Sequence, residues 1–145
     1  MDLAVSRLPR PRRRERLRVI AKILIVDDND NLRESLKAIL SEQGHEVLEA
    51  SDGAQAFTIA EKEMPHIILS DVVMPGVYGT TAAKRLTEFY KTAKIPIILM
   101  SGSVEQSVLG KLLEQPHVRY LKKPVDPEEL DKTIRELLPD GGYTP

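Results

Sequence analysis

The sequence predicts an α/β fold built on a doubly wound parallel sheet. Three apolar runs, KILIV, HIILS and IPIILM, are short and rich in β-branched residues, as expected for strands buried on both faces. The segments between them carry apolar residues at helical spacing and end near glycine or proline. Strands that alternate with helices favour a parallel sheet with helices on both faces, joined by right-handed crossovers.

The predicted elements alternate from residue 22 onward. Strands are predicted at Lys22–Val26, Glu46–Ala50, His66–Ser70, Ile95–Met100 and Val118–Leu121. Helices are predicted at Asn31–Glu42, Gly53–Glu63, Thr80–Tyr90, Val104–Glu114 and Pro127–Leu138. Segment Val72–Gly79 contains Pro75, Gly76 and Gly79, so we expect a loop there.

The chain has 145 residues, the length of one domain. We predict a folded domain over residues 22–138, a basic and disordered extension over residues 1–21 and a short tail over residues 139–145. Residues 1–22 carry eight basic and two acidic side chains, whereas the remainder carries thirteen basic and twenty acidic ones. The acidic domain makes nucleic-acid binding unlikely, although the basic extension could contact phosphates or anionic lipid.

Composition excludes several kinds of function. The chain has no cysteine, which rules out disulfides and thiolate catalysis. It has no tryptophan and two phenylalanines, too few aromatic rings for single-stranded nucleic-acid binding by stacking. No apolar stretch approaches the roughly 18 residues that span a bilayer. We therefore expect no membrane span and a cytoplasmic protein.

Polar side chains follow four of the predicted strands. Asp27 and Asp28 follow the first strand, Asp71 the third, Ser101 the fourth and Lys123 the fifth. The carboxyl ends of parallel strands meet at one edge of the sheet, where the site of an open α/β fold lies. Three carboxylates there would repel one another unless a cation neutralised them, and a hard divalent ion such as Mg²⁺ suits oxygen ligands. A carboxylate can also attack phosphorus to form an acyl phosphate.

Four short motifs, which occur at the ends of the predicted strands, together resemble those of one known family. They are LIVDD at Leu24–Asp28, DVVMPGVYG at Asp71–Gly79, LMSG at Leu99–Gly102 and YLKKP at Tyr120–Pro124. Together they resemble the bacterial response-regulator receiver family over roughly residues 22–138. The resemblance implies a flavodoxin-like (βα)5 fold with strand order 2-1-3-4-5.

The resemblance also implies the roles of the site residues. Asp71 would accept the phosphoryl group, with Mg²⁺ or Mn²⁺ held by Asp27, Asp28, Asp71 and the Val73 carbonyl. Lys123 matches the family lysine because it directly precedes Pro124, in a Lys–Pro bond that is often cis in this family.

Further residues match the parts of the family site that contact the phosphoryl group and respond to it. Ser101 matches the switch hydroxyl, Tyr120 the aromatic residue that changes rotamer, and the Val72 and Gly102 backbone the phosphoryl contacts. Val73 and Ser103 occupy positions that tune dephosphorylation in receivers. Because valine cannot orient an attacking water, we hypothesise a long-lived phosphoryl group.

As a receiver, the protein would take phosphate from a sensor histidine kinase or a histidine phosphotransfer protein. It would catalyse its own phosphorylation and dephosphorylation, and would not otherwise be an enzyme. The response would repack an output face formed by the helix at 104–114, the strand at 118–121 and the helix at 127–138. The chain ends about seven residues after its last predicted helix, so we expect output through a downstream protein, through homodimerisation or through phosphate relay.

Two alternatives remain open from the sequence. Asp28-Asn29-Asp30 forms an Asp-x-Asp after the first strand, as in phosphatases with an aspartate nucleophile. A phosphorylation-independent interaction module on the same fold is the other alternative, although the intact site residues disfavour it.

Overall fold

The computed structural model describes residues 20–72, 79–89, 91–102, 110 and 112–138, and these contain one five-stranded parallel sheet. The strands are β1 (Lys22–Val26), β2 (Glu46–Ala50), β3 (Ile67–Asp71), β4 (Ile97–Ser101) and β5 (Val118–Lys122). Their order is β2-β1-β3-β4-β5, with every neighbouring pair parallel. The predicted fold class and strand order are confirmed.

The described residues form four complete helices, of which three connect strands and the last follows β5. They are α1 (Asp30–Glu42), α2 (Gly53–Glu63), α3 (Gly79–Glu88) and α4 (Pro127–Leu137). Most of the predicted helix at 104–114 lies outside the described residues, although Gly110, Leu112 and Leu113 are helical. Val73 and Ser103, the two positions that tune dephosphorylation in receivers, also lie outside the described residues.

Side-chain caps fix where three helices begin. Asn29 caps α1 by accepting a hydrogen bond from the Leu32 amide at 3.1 Å, and Asp52 caps α2 from the Gln55 amide at 2.8 Å. Asp126 caps α4, and Pro127 follows at its first position, where a missing N–H costs nothing. The Asn29 cap matters most for function because it starts α1 directly after the acidic pair Asp27-Asp28.

The sheet divides the core into two layers. Leu24, Ile68 and Leu99 face one layer, which α2 covers with Ala56 and Ala60. Alternate strand residues face the other layer, which α1 and α4 cover; it includes Ile23, Ile25, Leu69, Ile98, Leu36, Leu40, Leu130 and Ile134. Helices on both faces leave β1, β3 and β4 almost completely buried, as their apolar sequences predict.

The boundaries of β3, β4 and β5 differ by one or two residues from the predicted His66–Ser70, Ile95–Met100 and Val118–Leu121. Asp71 and Ser101 are the last residues of β3 and β4, where Asp71 pairs with Met100 and Ser101 with Lys122. Backbone pairing continues past the apolar run because it does not depend on side-chain polarity. At the other end, β4 begins at Ile97, since Pro96 has no N–H to donate to the ladder.

Two histidine side chains accept hydrogen bonds from the backbone at the amino end of β1. His45 Nδ1 accepts a hydrogen bond from the Ala21 amide at 3.0 Å, and His66 Nδ1 accepts one from the Lys22 amide at 2.9 Å. Burial lowers the pKa of His66, and the positive charge of Lys22 lowers it further against an opposing effect of Glu46. Burial also lowers the pKa of His117. These histidines lie at the edge opposite the acidic residues, which favours a structural role.

No helix in the described part of the chain is long and apolar enough to cross a membrane.

Candidate functional site

Three carboxylates converge at the carboxyl edge of the sheet. Asp27 and Asp28 follow β1 and Asp71 ends β3, and these two strands are neighbours. Each residue offers a carboxylate oxygen within 4.8 Å of the others. Asp27 is completely buried and Asp71 is 8% exposed, whereas Asp28 faces solvent. Among the described residues this is the one acidic or histidine group with the geometry to hold a metal ion.

Lys123 supplies the positive charge of the cluster. Its Nζ lies 3.2 Å from Asp27 Oδ2 and 3.3 Å from Asp71 Oδ1. The side chain reaches the acids from the loop after β5, where its own amide donates to the Ser101 carbonyl at 2.9 Å. The Lys123–Pro124 peptide bond is cis, as the resemblance implied. One cation contacting two carboxylates lowers their mutual repulsion but leaves a net negative charge.

The Asp27 carboxylate is held from two sides. Its Oδ1 accepts a hydrogen bond from the Asn29 amide at 2.9 Å, while Oδ2 faces Lys123. The Asp27 amide donates to the Ala50 carbonyl at the end of β2, at 3.1 Å. A buried carboxylate with both oxygens contacted is a pre-organised ligand, because few of its rotamers remain available.

Ser101 and Tyr120 are joined across β4 and β5. Ser101 is buried at the end of β4, and the half-buried Tyr120 lies on β5 opposite Leu99. The Tyr120 hydroxyl donates to the Ser101 carbonyl at 3.1 Å. A shift of the Ser101 backbone would therefore change the hydrogen bond of Tyr120.

The backbones of Val72 and Gly102, which were predicted to contact the phosphoryl group, differ in hydrogen bonding and exposure. The Val72 amide donates to the Met100 carbonyl at 2.9 Å, so it already takes part in the sheet. Gly102 is exposed directly after β4, and a Cβ added to it would lie 3.9 Å from Lys123 Cβ. Val73, the predicted carbonyl ligand, lies outside the described residues.

The geometry separates the two acids of the Asp28-Asn29-Asp30 sequence. Asp30 is highly exposed and pairs with Arg33 at 2.6 Å, and it is not part of the carboxylate cluster. A phosphatase of the Asp-x-Asp type needs both acids at one centre. The described site therefore disfavours the phosphatase alternative.

Sequence reasoning missed Arg33. Its guanidinium contacts the Asp27 carbonyl at 2.7 Å, directly behind the carboxylate cluster. The Asp30 hydrogen bond raises the pKa of Arg33, so the side chain keeps its charge. Arg33 lies in the first turn of α1, shortly after Asp27 and Asp28. This position is the one signal in the sequence that indicates a contact between Arg33 and the Asp27 backbone.

The fold and the acidic cluster agree with the family that the chain matches. Residues 23–135 match the response regulator receiver domain. The chain belongs to this family, which acts in two-component signalling and consists of regulators rather than classical enzymes.

Two curated relatives show the range of proteins that carry this domain. The chain is 40% identical over 121 residues to protein PilH of Pseudomonas aeruginosa, covering 82% of this chain and 98% of PilH. It is also 40% identical over 119 residues to the probable transcriptional regulator ycf27 of Cyanophora paradoxa, covering 81% of this chain and 48% of ycf27. The chain thus spans nearly all of one relative and about half of the other.

Solved structures of receiver proteins resemble the fold of this chain. The chemotaxis protein CheY4 of Vibrio cholerae matches with a TM-score of 0.74 and 31% identity, covering 82% of this chain and 99% of CheY4. The receiver domain of a Pseudomonas aeruginosa sensor histidine kinase matches with a TM-score of 0.74 and 27% identity, covering 82% and 98% of the two chains. That structure has a magnesium ion coordinated in the active site cleft. Receiver domains bind Mg²⁺ at an acidic pocket, and this chain has the acidic cluster.

Proposed function

We propose that this protein accepts a phosphoryl group on Asp71 from a sensor histidine kinase or a histidine phosphotransfer protein. The observation that carries the proposal is the convergence of Asp27, Asp28 and Asp71 with Lys123 in contact with two of them. In this reaction an Asp71 oxygen attacks phosphorus, the O–P bond forms and the P–N bond to the donor imidazole breaks. The leaving imidazole takes up a proton.

Asp27, Asp28 and Asp71, with the Val73 carbonyl, would hold Mg²⁺ or Mn²⁺. The bound cation neutralises charge on the carboxylates and on the transferring phosphoryl oxygens. Carboxylate oxygens at this separation are the donors that such ions prefer, and their number leaves room for water and phosphoryl ligands. Asp27 would be a well-held ligand, because the Asn29 amide and Lys123 contact its two oxygens.

Lys123 would then contact the phosphoryl group. Its Nζ now lies 3.3 Å from Asp71 Oδ1, the carboxylate that would carry the phosphoryl group. A phosphoryl oxygen bonded to Asp71 lies within reach of the same ammonium after a small side-chain movement. The Ser101 hydroxyl and the Gly102 and Val72 amides would complete the phosphoryl contacts, the Val72 amide after giving up its bond to Met100.

Ser101 and Tyr120 would transmit the change to the output face. Phosphate on Asp71 would draw Ser101 towards it, and Tyr120 would follow because its hydroxyl is bonded to the Ser101 carbonyl. Tyr120 lies on β5, the central strand of the output face. Phosphorylation would thus bias a two-state equilibrium through local charge and packing.

The signal would pass to a downstream protein, to a second copy of this chain or onward to a phosphotransfer protein. We place the folded receiver at residues 22–138, the basic extension at 1–21 and the tail at 139–145. We also propose a cytoplasmic location, where histidine kinases present their phosphohistidine.

One experiment tests the proposal. The protein is incubated with Mg²⁺ and acetyl phosphate and its intact mass is measured. We expect one phosphoryl group, stable in acid and released by hydroxylamine, that requires Mg²⁺ and is absent in Asp71→Asn. An adduct that persists in Asp71→Asn, or no adduct in the wild type, would overturn the proposal.

A further inference from the structure

Arg33 connects three separate segments around the acidic loop. Its Nη1 donates to the Asp27 carbonyl at 2.7 Å, its Nη2 to Asp30 at 2.6 Å and its Nε to Glu49 at 3.2 Å. These partners belong to the loop after β1, the first turn of α1 and strand β2. Each of the three guanidinium nitrogens therefore contacts a different segment.

The contact with the Asp27 carbonyl is the unusual one. Arg33 is 16% exposed, and Asp30 and Glu49 are more exposed than it is. Two exposed ion pairs contribute little to stability by themselves. They do, however, orient the Arg33 guanidinium, so that its Nη1 donates a charge-assisted hydrogen bond to the backbone carbonyl of Asp27.

The other hydrogen bonds of the loop between Asp27 and Asp30 are made by Asp27 and Asn29, among them the helix cap from the Asn29 side chain to the Leu32 amide. The Asp27 amide donates to Ala50 and the Asn29 amide donates to the Asp27 side chain. Asp28, the exposed member of the carboxylate cluster, lies between these residues, and its side chain has no hydrogen-bond or ion-pair partner among the described residues. The direction in which Asp28 presents its carboxylate therefore depends on the loop backbone, which the Arg33 side chain holds together with the Ala50 carbonyl and the Asn29 cap.

We propose that Arg33 is a positioning residue for cation binding, which fixes the Asp27-Asp28 backbone so that both carboxylates face Asp71. This inference rests on the proposed function. Residues behind metal ligands commonly change metal affinity by 10–100-fold when they are replaced.

Electrostatics and positioning predict opposite results for loss of Arg33. Removing a positive charge near a cation site strengthens cation binding by Coulomb's law. Removing a backbone restraint weakens it, because binding must then order the loop. The sign of the change therefore distinguishes the two effects.

Lys37 provides a matched control. It also pairs with Glu49, at 3.3 Å, and lies on the same helix, but none of its described contacts involves the loop from Asp27 to Asp30. Lys37→Met removes one positive charge and one Glu49 contact while it leaves the Asp27 carbonyl bonded to Arg33.

The test measures Mg²⁺ affinity by isothermal titration calorimetry in wild type, Arg33→Met, Arg33→Lys and Lys37→Met. We expect Arg33→Met to raise the Mg²⁺ dissociation constant by about tenfold, Arg33→Lys to restore part of the affinity, and Lys37→Met to bind as the wild type or more tightly. Thermal unfolding in EDTA shows whether each variant is folded. If Arg33→Met is unfolded, Arg33→Lys is compared with the wild type instead, and its Mg²⁺ affinity should be weaker.

Phosphorylation by acetyl phosphate gives a second readout. In a folded Arg33 variant that binds Mg²⁺ more weakly, half-maximal phosphorylation should require a higher Mg²⁺ concentration than in the wild type. At saturating Mg²⁺, the phosphorylation rate of that variant should return towards the wild-type rate. If the wild type binds Mg²⁺ and the Arg33 variants bind it equally well or more tightly, the positioning role of Arg33 is overturned. The proposed phospho-acceptor function is unaffected by that result. A wild-type protein that binds no Mg²⁺ and forms no adduct overturns the proposed function and this role with it.

Discussion

The Lys123 Nζ lies 3.3 Å from the Asp71 Oδ1, although Asp71 ends β3, Lys123 follows β5, and β4 lies between these strands. The same nitrogen lies 3.2 Å from the buried Asp27. Lys123 therefore serves as the resident counter-ion of the carboxylate cluster. Its loss should affect both the stability of the fold and the chemistry proposed for Asp71.

Lys123→Met should destabilise the protein and slow phosphorylation. Two largely buried carboxylates would lose their cation, at a cost of about 1–3 kcal/mol, and the phosphorylation rate should fall by roughly 100-fold or more because a donor to the transferring group is lost. Urea unfolding in EDTA and the rate of adduct formation measure the two effects. Lys122→Met is the control, because Lys122 is exposed at the end of β5. Equal behaviour of the two variants would contradict the assignment of Lys123.

Asp28→Asn should stabilise the protein without Mg²⁺ and remove its response to Mg²⁺. The change relieves repulsion within a cluster whose oxygens lie within 4.8 Å of one another. We expect the melting temperature in EDTA to rise by about 1–3 °C, and the further rise on Mg²⁺ addition to disappear. Glu34→Gln, an exposed change on α1, controls for the loss of one negative charge. A wild-type response to Mg²⁺ in Asp28→Asn would show that Asp28 is not a ligand.

The fold and the members of the acidic cluster were predictable because they depend on local patterns. Apolar runs such as HIILS specify strands buried on both faces, and parallel strands bring the residues at their carboxyl ends to one edge. Asp27, Asp28 and Asp71 follow from that rule without any knowledge of distances. The strand ends at Asp71 and Ser101 were displaced by one residue, since backbone pairing continues beyond the apolar side chains.

The contacts between side chains were not predictable in the same way. Lys123 contacts Asp27 as well as Asp71 because the loop after β5 brings its Cβ beside Gly102, just past the end of β4, and its long side chain reaches both acids from there. The Arg33 contacts require α1 and β2 to pack at a particular distance, which the sequence pattern does not specify. Reach and packing of this kind depend on tertiary structure.

Acidification should destabilise the fold through His66. Burial and Lys22 lower its pKa in the folded state, so the unfolded chain takes up the proton first. The contribution of His66 to stability is complete above its unfolded pKa of about 6.5 and is lost as the pH falls from there through the lower folded pKa. Protonation also opposes the hydrogen bond that Nδ1 accepts from the Lys22 amide.

Urea unfolding between about pH 7.5 and about pH 5 measures this effect. His66→Asn keeps an acceptor for the Lys22 amide but does not titrate, so its stability should fall less steeply with acidification than that of the wild type. His117 should retain its own contribution of the same sign, because burial lowers its pKa as well. An identical pH dependence in His66→Asn and wild type would refute the role of His66.

Tyr120→Phe should separate the switch from the chemistry. The variant loses the hydrogen bond to the Ser101 carbonyl, which we expect to cost about 1 kcal/mol of stability. Because Tyr120 makes no contact with the carboxylates among the described interactions, Mg²⁺ binding and adduct formation should remain normal. The amide chemical-shift changes that beryllofluoride causes in β5 should become smaller. Full-size changes in β5 would show that the hydroxyl does not transmit the signal.

The most direct test of the phospho-acceptor assignment is to trap the acyl phosphate chemically. Protein incubated with Mg²⁺ and acetyl phosphate is treated with borohydride, whose hydride reduces an aspartyl phosphate to homoserine with release of phosphate, and the peptides are sequenced by tandem mass spectrometry. We predict homoserine at Asp71 in the wild type and its absence without Mg²⁺. Homoserine at Asp27 or Asp28, or an unmodified Asp71 in protein that has gained a phosphoryl group, would contradict the assignment.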